Sequence, residues 1–281
     1  MNARICLVTG ATHGIGRASA EALAAHGGQV LIHGRDLERA RGVAAAISRT
    51  TGNSMLRAVQ ADFADLAQVR RLAQELNASL PRLDVLINNA GRMSAARALS
   101  VDGYELTFAV NHLAPFLLTN LLLPKLRASA PARIVVVASE AHRRAQLDFD
   151  DLMNSTVSGL MPAYARSKLA NLLFMRELAQ RLAGSGISVN ALHPGFVASH
   201  LFRDLPPLLR AVLGTAVRPF MRSSVAGART SVYLATAPEL LGKTGGYYRD
   251  CRLTTPSSAA QSSSDAARLW QVSAELTGIP A

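Results

Sequence analysis

Short apolar runs rich in β-branched residues alternate with longer segments of helical periodicity along most of the chain. Strands are predicted at Arg4–Val8, Gln29–His33, Met55–Gln60, Leu83–Ile87, Ile134–Ala138 and Ile187–Leu192. Helices are predicted at Gly14–His26, Leu37–Ser48, Leu66–Leu80, Val101–Arg127, Ala163–Ala183 and Asp265–Leu276. Such alternation is typical of parallel strands joined by right-handed crossovers, with helices on both faces. The pattern therefore predicts an α/β fold, a doubly wound parallel sheet of the Rossmann type.

No linker divides the chain, so a single domain over residues 1–281 is predicted. Residues 200–225 are apolar, are interrupted by Pro206, Pro207 and Pro219, and fit no strand. We interpret them as a helical substrate lid. The C-terminal tail, 256–281, starts with the flexible-looking connection 256–264 before the last helix.

Composition and charge exclude several classes of protein. The net charge is +11, but the arginines are dispersed and lysine occurs only at Lys125, Lys168 and Lys243. Dispersed charge without a zinc-finger or RNA-recognition motif indicates a solvated surface, so no nucleic-acid partner is predicted. Cys6 and Cys251 form no CxxC pair, and no metal site is expected.

Two observations bear on location. No uninterrupted apolar run reaches about 18 residues, the length that a membrane-spanning helix needs. The first ten residues, MNARICLVTG, enter a predicted strand at once and leave no room for a secretory signal. We therefore expect a cytoplasmic protein without a membrane anchor.

A glycine-rich turn, Thr9–Gly16, lies between the first strand and the first helix. Gly10 permits a tight turn, Gly14 permits close approach of a phosphate, and Gly16 permits the helix to pack near the sheet. The helix N-terminus then offers unpaired N–H groups and a partial positive charge to a pyrophosphate. Any tight strand-to-helix turn selects glycine, but this position favours a nucleotide site.

The end of the second strand indicates which dinucleotide is bound. Sites for NAD usually carry an acidic residue there, whereas sites for NADP accept an arginine for the 2′-phosphate. Here Gly34 occupies the acidic position and Arg35 follows it. A guanidinium pairs well with phosphate, so NADP(H) is predicted. The alternative is that Arg35 is a solvated loop residue that Asp36 neutralises.

Four motifs occur in a fixed order: Thr9–Gly16, the NNAG run 88–91, the YARSK run 164–168 and Pro194-Gly195. Together they resemble the short-chain dehydrogenase/reductase family over essentially the whole chain. Further runs are similar to its retinol-dehydrogenase-like branch: VNHL (110–113), ASEAH (138–142), SKLANLLFMRE (167–177) and GYYRDCR (246–252). The segment between Ser139 and Tyr164 is long, as in that branch.

The resemblance implies four catalytic residues. Tyr164 would be the general acid or base, and Lys168, one helical turn away, would lower the pKa of the phenol. Ser139 would hydrogen-bond the substrate oxygen, and Asn111 would orient Lys168 through a water. Taken alone, a Tyr and a Lys four positions apart are usually a helix surface, and a Ser after a strand often caps a turn. The order of the motifs favours the catalytic interpretation.

The resemblance also implies which residues contact the cofactor. Asp62 follows the third strand, where the family's Asp meets the adenine, and Ser199 stands where relatives often have Thr. The full set is Gly10, Thr12, His13, Gly14, Ile15, Gly16, Arg35, Asp62, Phe63, Asn89, Ala90, Gly91, Tyr164, Lys168, Pro194, Gly195, Val197 and Ser199.

Together these features predict an NADP(H)-dependent oxidoreductase of a lipophilic alcohol, aldehyde or ketone. The apolar lid favours such a substrate, although its residues would equally serve core packing or a subunit contact. Family members usually form homodimers or homotetramers. Alternatives are an NAD-linked dehydrogenase of a polar metabolite, a noncatalytic nucleotide sensor, and a light-driven chlorophyll-precursor reductase. A Ser–His hydrolase built on His112 or His142 lacks the GxSxG elbow.

Overall fold

The computed structural model describes residues 3–94, 97–153, 159–197 and 221–280. These residues form one sheet of eight strands. The strands are β1 (Ile5–Val8), β2 (Gln29–Gly34), β3 (Leu56–Gln60), β4 (Val85–Asn88), β5 (Ala132–Val137), β6 (Ile187–Leu192), β7 (Tyr247–Arg249) and β8 (Arg252–Thr254). The helices are α1 (Gly14–Ala25), α2 (Leu37–Thr51), α3 (Leu66–Ser79), α4 (Leu106–Ala128), α5 (Leu160–Arg181), α6 (Ser224–Thr236) and α7 (Ser263–Thr277).

The strand order is β3-β2-β1-β4-β5-β6-β7-β8, and the first seven strands are parallel. The chain winds outward in one direction from β1 to β3 and in the other from β4 onward. The two halves part between β1 and β4, where the carboxyl ends of the strands leave a crevice for a ligand. The predicted doubly wound parallel sheet is confirmed.

The last two strands were not predicted. β8 runs antiparallel to β7 through a two-residue turn in which Asp250 and Cys251 have φ of 51° and 61°. Such a turn matches the right-handed twist of a hairpin. Tyr247 and Tyr248 are buried on opposite faces of the sheet. This hairpin therefore closes the edge beside β6 and extends both layers of the core.

Apolar residues of the central strands alternate between two hydrophobic cores. Leu7 and Leu31 pack with α3, α4, α5 and α7, whereas Val8 and Ile32 pack with α1, α2 and α6. Both faces of the sheet are covered, which explains why the strands read as continuous apolar runs.

Helix α4 begins at Leu106, five residues later than predicted. The Glu105 carboxylate accepts hydrogen bonds from the Thr107 and Phe108 N–H groups and fixes that start. Within α4, residues Ala109–Leu113 form a π-helical turn. By length and composition α4 is apolar enough to cross a membrane, with a mean hydropathy of 1.5, but 78% of that stretch is buried in the fold.

The C-terminal tail packs against the core. The connection expected to be flexible contains a 3-10 turn at Ala259–Gln261, with Ala260 buried. Trp270 of α7 then packs on Phe116 of α4, with ring centroids 4.9 Å apart. Most of the predicted lid lies outside the described residues; its last part, from Ser224, is the start of α6.

Candidate active site

A cavity of about 1160 Å³ lies at the carboxyl ends of the central strands. Every predicted cofactor-binding residue that the structure describes lines it, as does Ser139, whereas Ser199 lies outside the described residues. Asn111 does not line the cavity but is buried behind it. Sequence reasoning missed further lining residues: His33, Arg39, Arg92, Met93, Arg144, His193, Phe196, Arg222 and Arg249.

The buried Thr9 hydroxyl joins the glycine-rich turn to the loop after β4. It accepts hydrogen bonds from the Asn89 and Ala90 N–H groups, and the Asn89 amide donates to the Thr9 carbonyl at 2.7 Å. A Cβ at Gly16 would lie 2.4 Å from both the Asn89 amide and the Gly10 carbonyl oxygen. Only glycine therefore allows α1 to start this close to the sheet.

The N-terminus of α1 faces the cavity. His13 is the N-cap but makes no side-chain capping bond, and the first turn carries no acidic residue. The first N–H groups of a helix have no partner within the helix and carry partial positive charge. The arrangement fits the pyrophosphate of a dinucleotide.

His33, at the end of β2, braces the glycine-rich turn from below. Its Nδ1 accepts from the Gly10 N–H at 3.2 Å, and its Nε2 contacts the Ala61 carbonyl oxygen at 3.1 Å. Burial lowers the pKa of His33 to about 4, so the ring is neutral at pH 7 and Nε2 carries the proton. The ring also stacks on Phe63, with centroids 4.5 Å apart.

Replacing His33 should destabilise the glycine-rich turn, because both of its contacts with the backbone are lost. We expect His33→Ala to lower the free energy of unfolding by about 2–4 kcal/mol, since it leaves a cavity and two unpaired backbone groups. The exposed His26→Ala is the control and should cost less than about 1 kcal/mol. Urea unfolding measures both free energies; equal losses would contradict the role of His33.

Burial lowers the pKa of His33 in the folded protein, so the free energy of unfolding of the wild type should fall as pH drops from about 6.5 toward 4. The decrease should be smaller in His33→Ala.

A side chain at the end of β2 would displace Thr12. A Cβ at Gly34 would lie 2.5 Å from Thr12 Cγ2. The Asp36 carboxylate is occupied as the N-cap of α2, where it accepts from the Arg39 N–H at 3.1 Å. Arg35 and Arg39 both line the cavity at this point. The positive charge at this end of the cavity is therefore larger than the sequence analysis predicted, because that prediction was based on Arg35 alone.

Tyr164, Lys168 and Ser139 meet at the other end of the cavity. Tyr164 and Lys168 lie one turn apart on α5, and the Lys168 Nζ is 5.6 Å from the centre of the phenol ring. Ser139 follows β5; its hydroxyl hydrogen-bonds the phenol and also accepts from the Ala141 N–H at 3.2 Å. Ser139 thus both caps a 3-10 turn, Glu140–Arg144, and faces the phenol.

The expected lowering of the Tyr164 pKa is not seen. Burial raises the pKa of Tyr164 to about 12, and the hydrogen bond to Ser139 opposes the rise only in part. Lys168 is itself buried, which lowers its pKa to about 8, and its Nζ donates to the Val137 carbonyl oxygen at 3.0 Å. With the ammonium directed at that carbonyl, desolvation decides the pKa of the phenol.

Asn111 lies in the π-helical turn and ties three elements together. Its side chain accepts from the Arg92 N–H at 2.8 Å and donates to the Arg92 carbonyl and to Ser167 Oγ. A Cβ at Gly91 would lie 3.4 Å from both Asn111 Oδ1 and Lys168 Nζ. Asn111 therefore holds the loop after β4 and helix α5 beside Lys168. The expected link from Asn111 to Lys168 through a water and backbone groups stays a prediction.

The histidines do not form a Ser–His pair with Ser139. His142 Nδ1 contacts the Ser139 carbonyl oxygen at 2.7 Å, and its Nε2 accepts from the Ser257 N–H. His112 Nε2 contacts Ser273 Oγ at 2.8 Å, inside the core. Neither imidazole reaches the Ser139 hydroxyl, so the hydrolase alternative has no support in this geometry.

The amino-acid sequence of this chain is similar to a known protein family and to individual members of it. A family described as short chain dehydrogenase matches residues 4–207. Human retinol dehydrogenase 14 is 40% identical, over 99% of this chain and 88% of that protein. Dehydrogenase/reductase SDR family member 13 of Bos taurus is 42% identical, over 99% of this chain and 74% of its own.

Two solved structures have the same overall shape. A protein of Mycobacterium paratuberculosis superposes with a TM-score of 0.80 and 34% identity, covering 98% of this chain and 94% of its own. The RhlG/NADP active-site complex of Pseudomonas aeruginosa has a TM-score of 0.70 and 32% identity, covering 87% and 93%.

Proposed function

This chain belongs to the short-chain dehydrogenase/reductase family, in its retinol-dehydrogenase-like branch, and from that premise we propose that it is an NADP(H)-dependent oxidoreductase of lipophilic alcohols, aldehydes and ketones. The observation that carries the proposal is the cavity itself. It joins an uncapped helix N-terminus and two arginines at one end to Ser139, Tyr164 and Lys168 at the other. A dinucleotide spans such a crevice.

The chain's own residues fit NADP(H) better than NAD(H). Arg35 and Arg39 supply two guanidinium groups where a 2′-phosphate would lie, and Gly34 offers no carboxylate to bind the ribose hydroxyls. The RhlG relative, at 32% identity, was solved with NADP.

Removing these guanidiniums should change cofactor preference. We expect Arg35→Ala and Arg39→Ala each to weaken NADPH binding by about tenfold or more and to leave NADH binding nearly unchanged, since a charged hydrogen bond is lost. Arg49→Ala, on the same helix as Arg39 but away from the cavity, is the matched control. Fluorescence titration with both cofactors measures the effect. Tighter binding of NADH than NADPH by the wild type would contradict the proposal.

In the proposed reaction the bound nicotinamide supplies or accepts the hydride. Ser139 holds the substrate oxygen, and the Tyr164 phenol, which is protonated at neutral pH, donates its proton to that oxygen during reduction. Lys168 places positive charge beside the ring, and Asn111 keeps Lys168 and the loop after β4 in position. In oxidation the same groups would act in the reverse direction.

Apolar side chains around the proposed reaction centre support a lipophilic substrate. Met93, Met161, Pro162 and Phe196 line the cavity, and Met161 and Phe196 remain about half exposed. A panel of aldehydes and ketones with NADPH, and of alcohols with NADP⁺, is the direct test. Absence of turnover across the panel, with tight NADPH binding retained, would favour a nucleotide sensor over an enzyme.

A further inference from the structure

A second cavity, of about 510 Å³, adjoins the candidate active site; we refer to it as the annex. Arg144 and Pro162 line both cavities, so the two spaces meet at these side chains. Arg143, Arg166, Ser257 and Ser258 also line the annex. Three guanidiniums and two serines make a very different environment from the apolar walls beside Tyr164.

The annex carries net positive charge. No acidic residue is among its described lining residues. Arg143 pairs with Glu140, and Arg166 donates to the Asp151 carbonyl oxygen at 3.2 Å. Arg144 makes no hydrogen bond or ion pair with any residue that the structure describes. A concave surface lined by several guanidinium groups raises the local concentration of anions.

The annex is fixed relative to the proposed reaction centre. Buried His142 bridges the Ser139 carbonyl and the Ser257 N–H, with the latter hydrogen bond at 3.1 Å. Burial lowers the pKa of His142, and the neutral ring with its proton on Nδ1 suits both contacts. His142 therefore holds the segment that carries Ser257 next to Ser139.

These observations lead to a substrate class. We propose that the annex binds the terminal carboxylate of a straight-chain substrate whose carbonyl or alcohol carbon lies between Ser139 and Tyr164, with Arg144 pairing with that carboxylate. The proposal rests on the oxidoreductase function proposed above and deepens it. The apolar residues Met161 and Pro162 line the active-site cavity, and Pro162 also lines the annex, so both are available to contact the methylene chain.

The separation of the two ends sets the length of the substrate. The backbone positions of Ser139 and Arg144 are separated by the 3-10 helix Glu140–Arg144, which rises by ~2.0 Å per residue and therefore by roughly 10 Å along its axis. An extended carbon chain advances roughly 1.2 Å per bond, as the peptide backbone does. A chain of about nine carbons, with an aldehyde at one end and a carboxylate at the other, has the length of this backbone separation and is therefore the first probe, with shorter and longer chains beside it.

The test compares the nine-carbon ω-carboxy aldehyde with its methyl ester in the wild type, Arg144→Gln, Arg144→Lys and Arg49→Gln. We expect the wild type to prefer the acid in kcat/KM by about tenfold, as one charge-assisted pair allows. Arg144→Gln should abolish that preference, Arg144→Lys should retain part of it, and Arg49→Gln should retain all of it. The preference should also be smaller for chains of five and thirteen carbons.

Equal turnover of acid and ester by the wild type, or a preference that survives in Arg144→Gln, would overturn the annex proposal while leaving the oxidoreductase function intact. Failure to reduce either compound would count against the oxidoreductase function instead. In that case calorimetry with the nine-carbon dicarboxylate decides the annex: binding that Arg144→Gln loses supports it, and no binding, or equal binding, overturns it.

Discussion

Tyr164→Phe is expected to lower kcat by about 10³-fold, with NADPH affinity changed by less than about twofold. A positioned general acid contributes typically 10²–10⁴-fold, and the phenol is the group placed beside the Ser139 hydroxyl for that role. Phenylalanine preserves the buried aromatic ring of α5 and removes only the proton donor. Single-turnover reduction with NADPH, together with a binding titration, measures the two quantities separately.

Tyr104→Phe is the matched control. It removes a hydroxyl that donates to the Leu276 carbonyl at 2.8 Å, outside the cavity. It should lower stability by about 1 kcal/mol, as loss of one hydrogen bond does, and leave kcat within about twofold. If Tyr164→Phe kept wild-type turnover, another group would have to protonate the substrate.

Lys168→Met is expected to lower kcat/KM for reduction by about 10²-fold, because it removes the buried positive charge beside the Tyr164 ring. The sign of the pH dependence follows from burial, which lowers the pKa of Lys168 to about 8. The ammonium is charged below pH 8 and neutral above it. Reductive kcat/KM of the wild type should therefore fall as pH rises through about 8.

The pH profile distinguishes this role from a purely structural one. In Lys168→Met the decline above pH 8 should vanish, whereas a merely destabilised protein would lose activity at all pH values and keep the decline. Circular dichroism and urea unfolding establish that the variant is folded. A wild-type profile that stays flat or rises between pH 7 and 9 would contradict the assignment.

The pattern of apolar residues along the chain was sufficient to predict the central part of the fold. The six predicted strands were found to within a few residues, because both faces of the sheet are covered and most of the central strands are therefore apolar runs. The hairpin β7–β8 was missed because each strand has three residues, too few for a periodic signal. Its turn has positive φ at Asp250 and Cys251 rather than at glycine, which removed the usual sequence signal.

The site could be predicted as a set of residues more readily than as a set of protonation states. Motifs placed Tyr164, Lys168 and Ser139 together, and the structure does so as well. The direction of the Tyr164 pKa shift depends on how far the phenol is desolvated and where the Lys168 ammonium points, and neither quantity is local in sequence. His33 was missed for the same reason, since its partners Gly10 and Ala61 come from neighbouring strands' ends.

Because α7 packs on α4, part of α4 stays uncovered until the C-terminal end of the chain has been synthesised. The apolar helix Leu106–Ala128 leaves the ribosome long before Ser263–Thr277, whose Trp270 covers part of it. At roughly 5–20 residues per second, the intervening chain takes on the order of ten seconds to be made. Throughout that interval the part of α4 that Trp270 covers in the folded protein lacks its partner, and exposed apolar surface of this kind favours aggregation of incompletely folded chains.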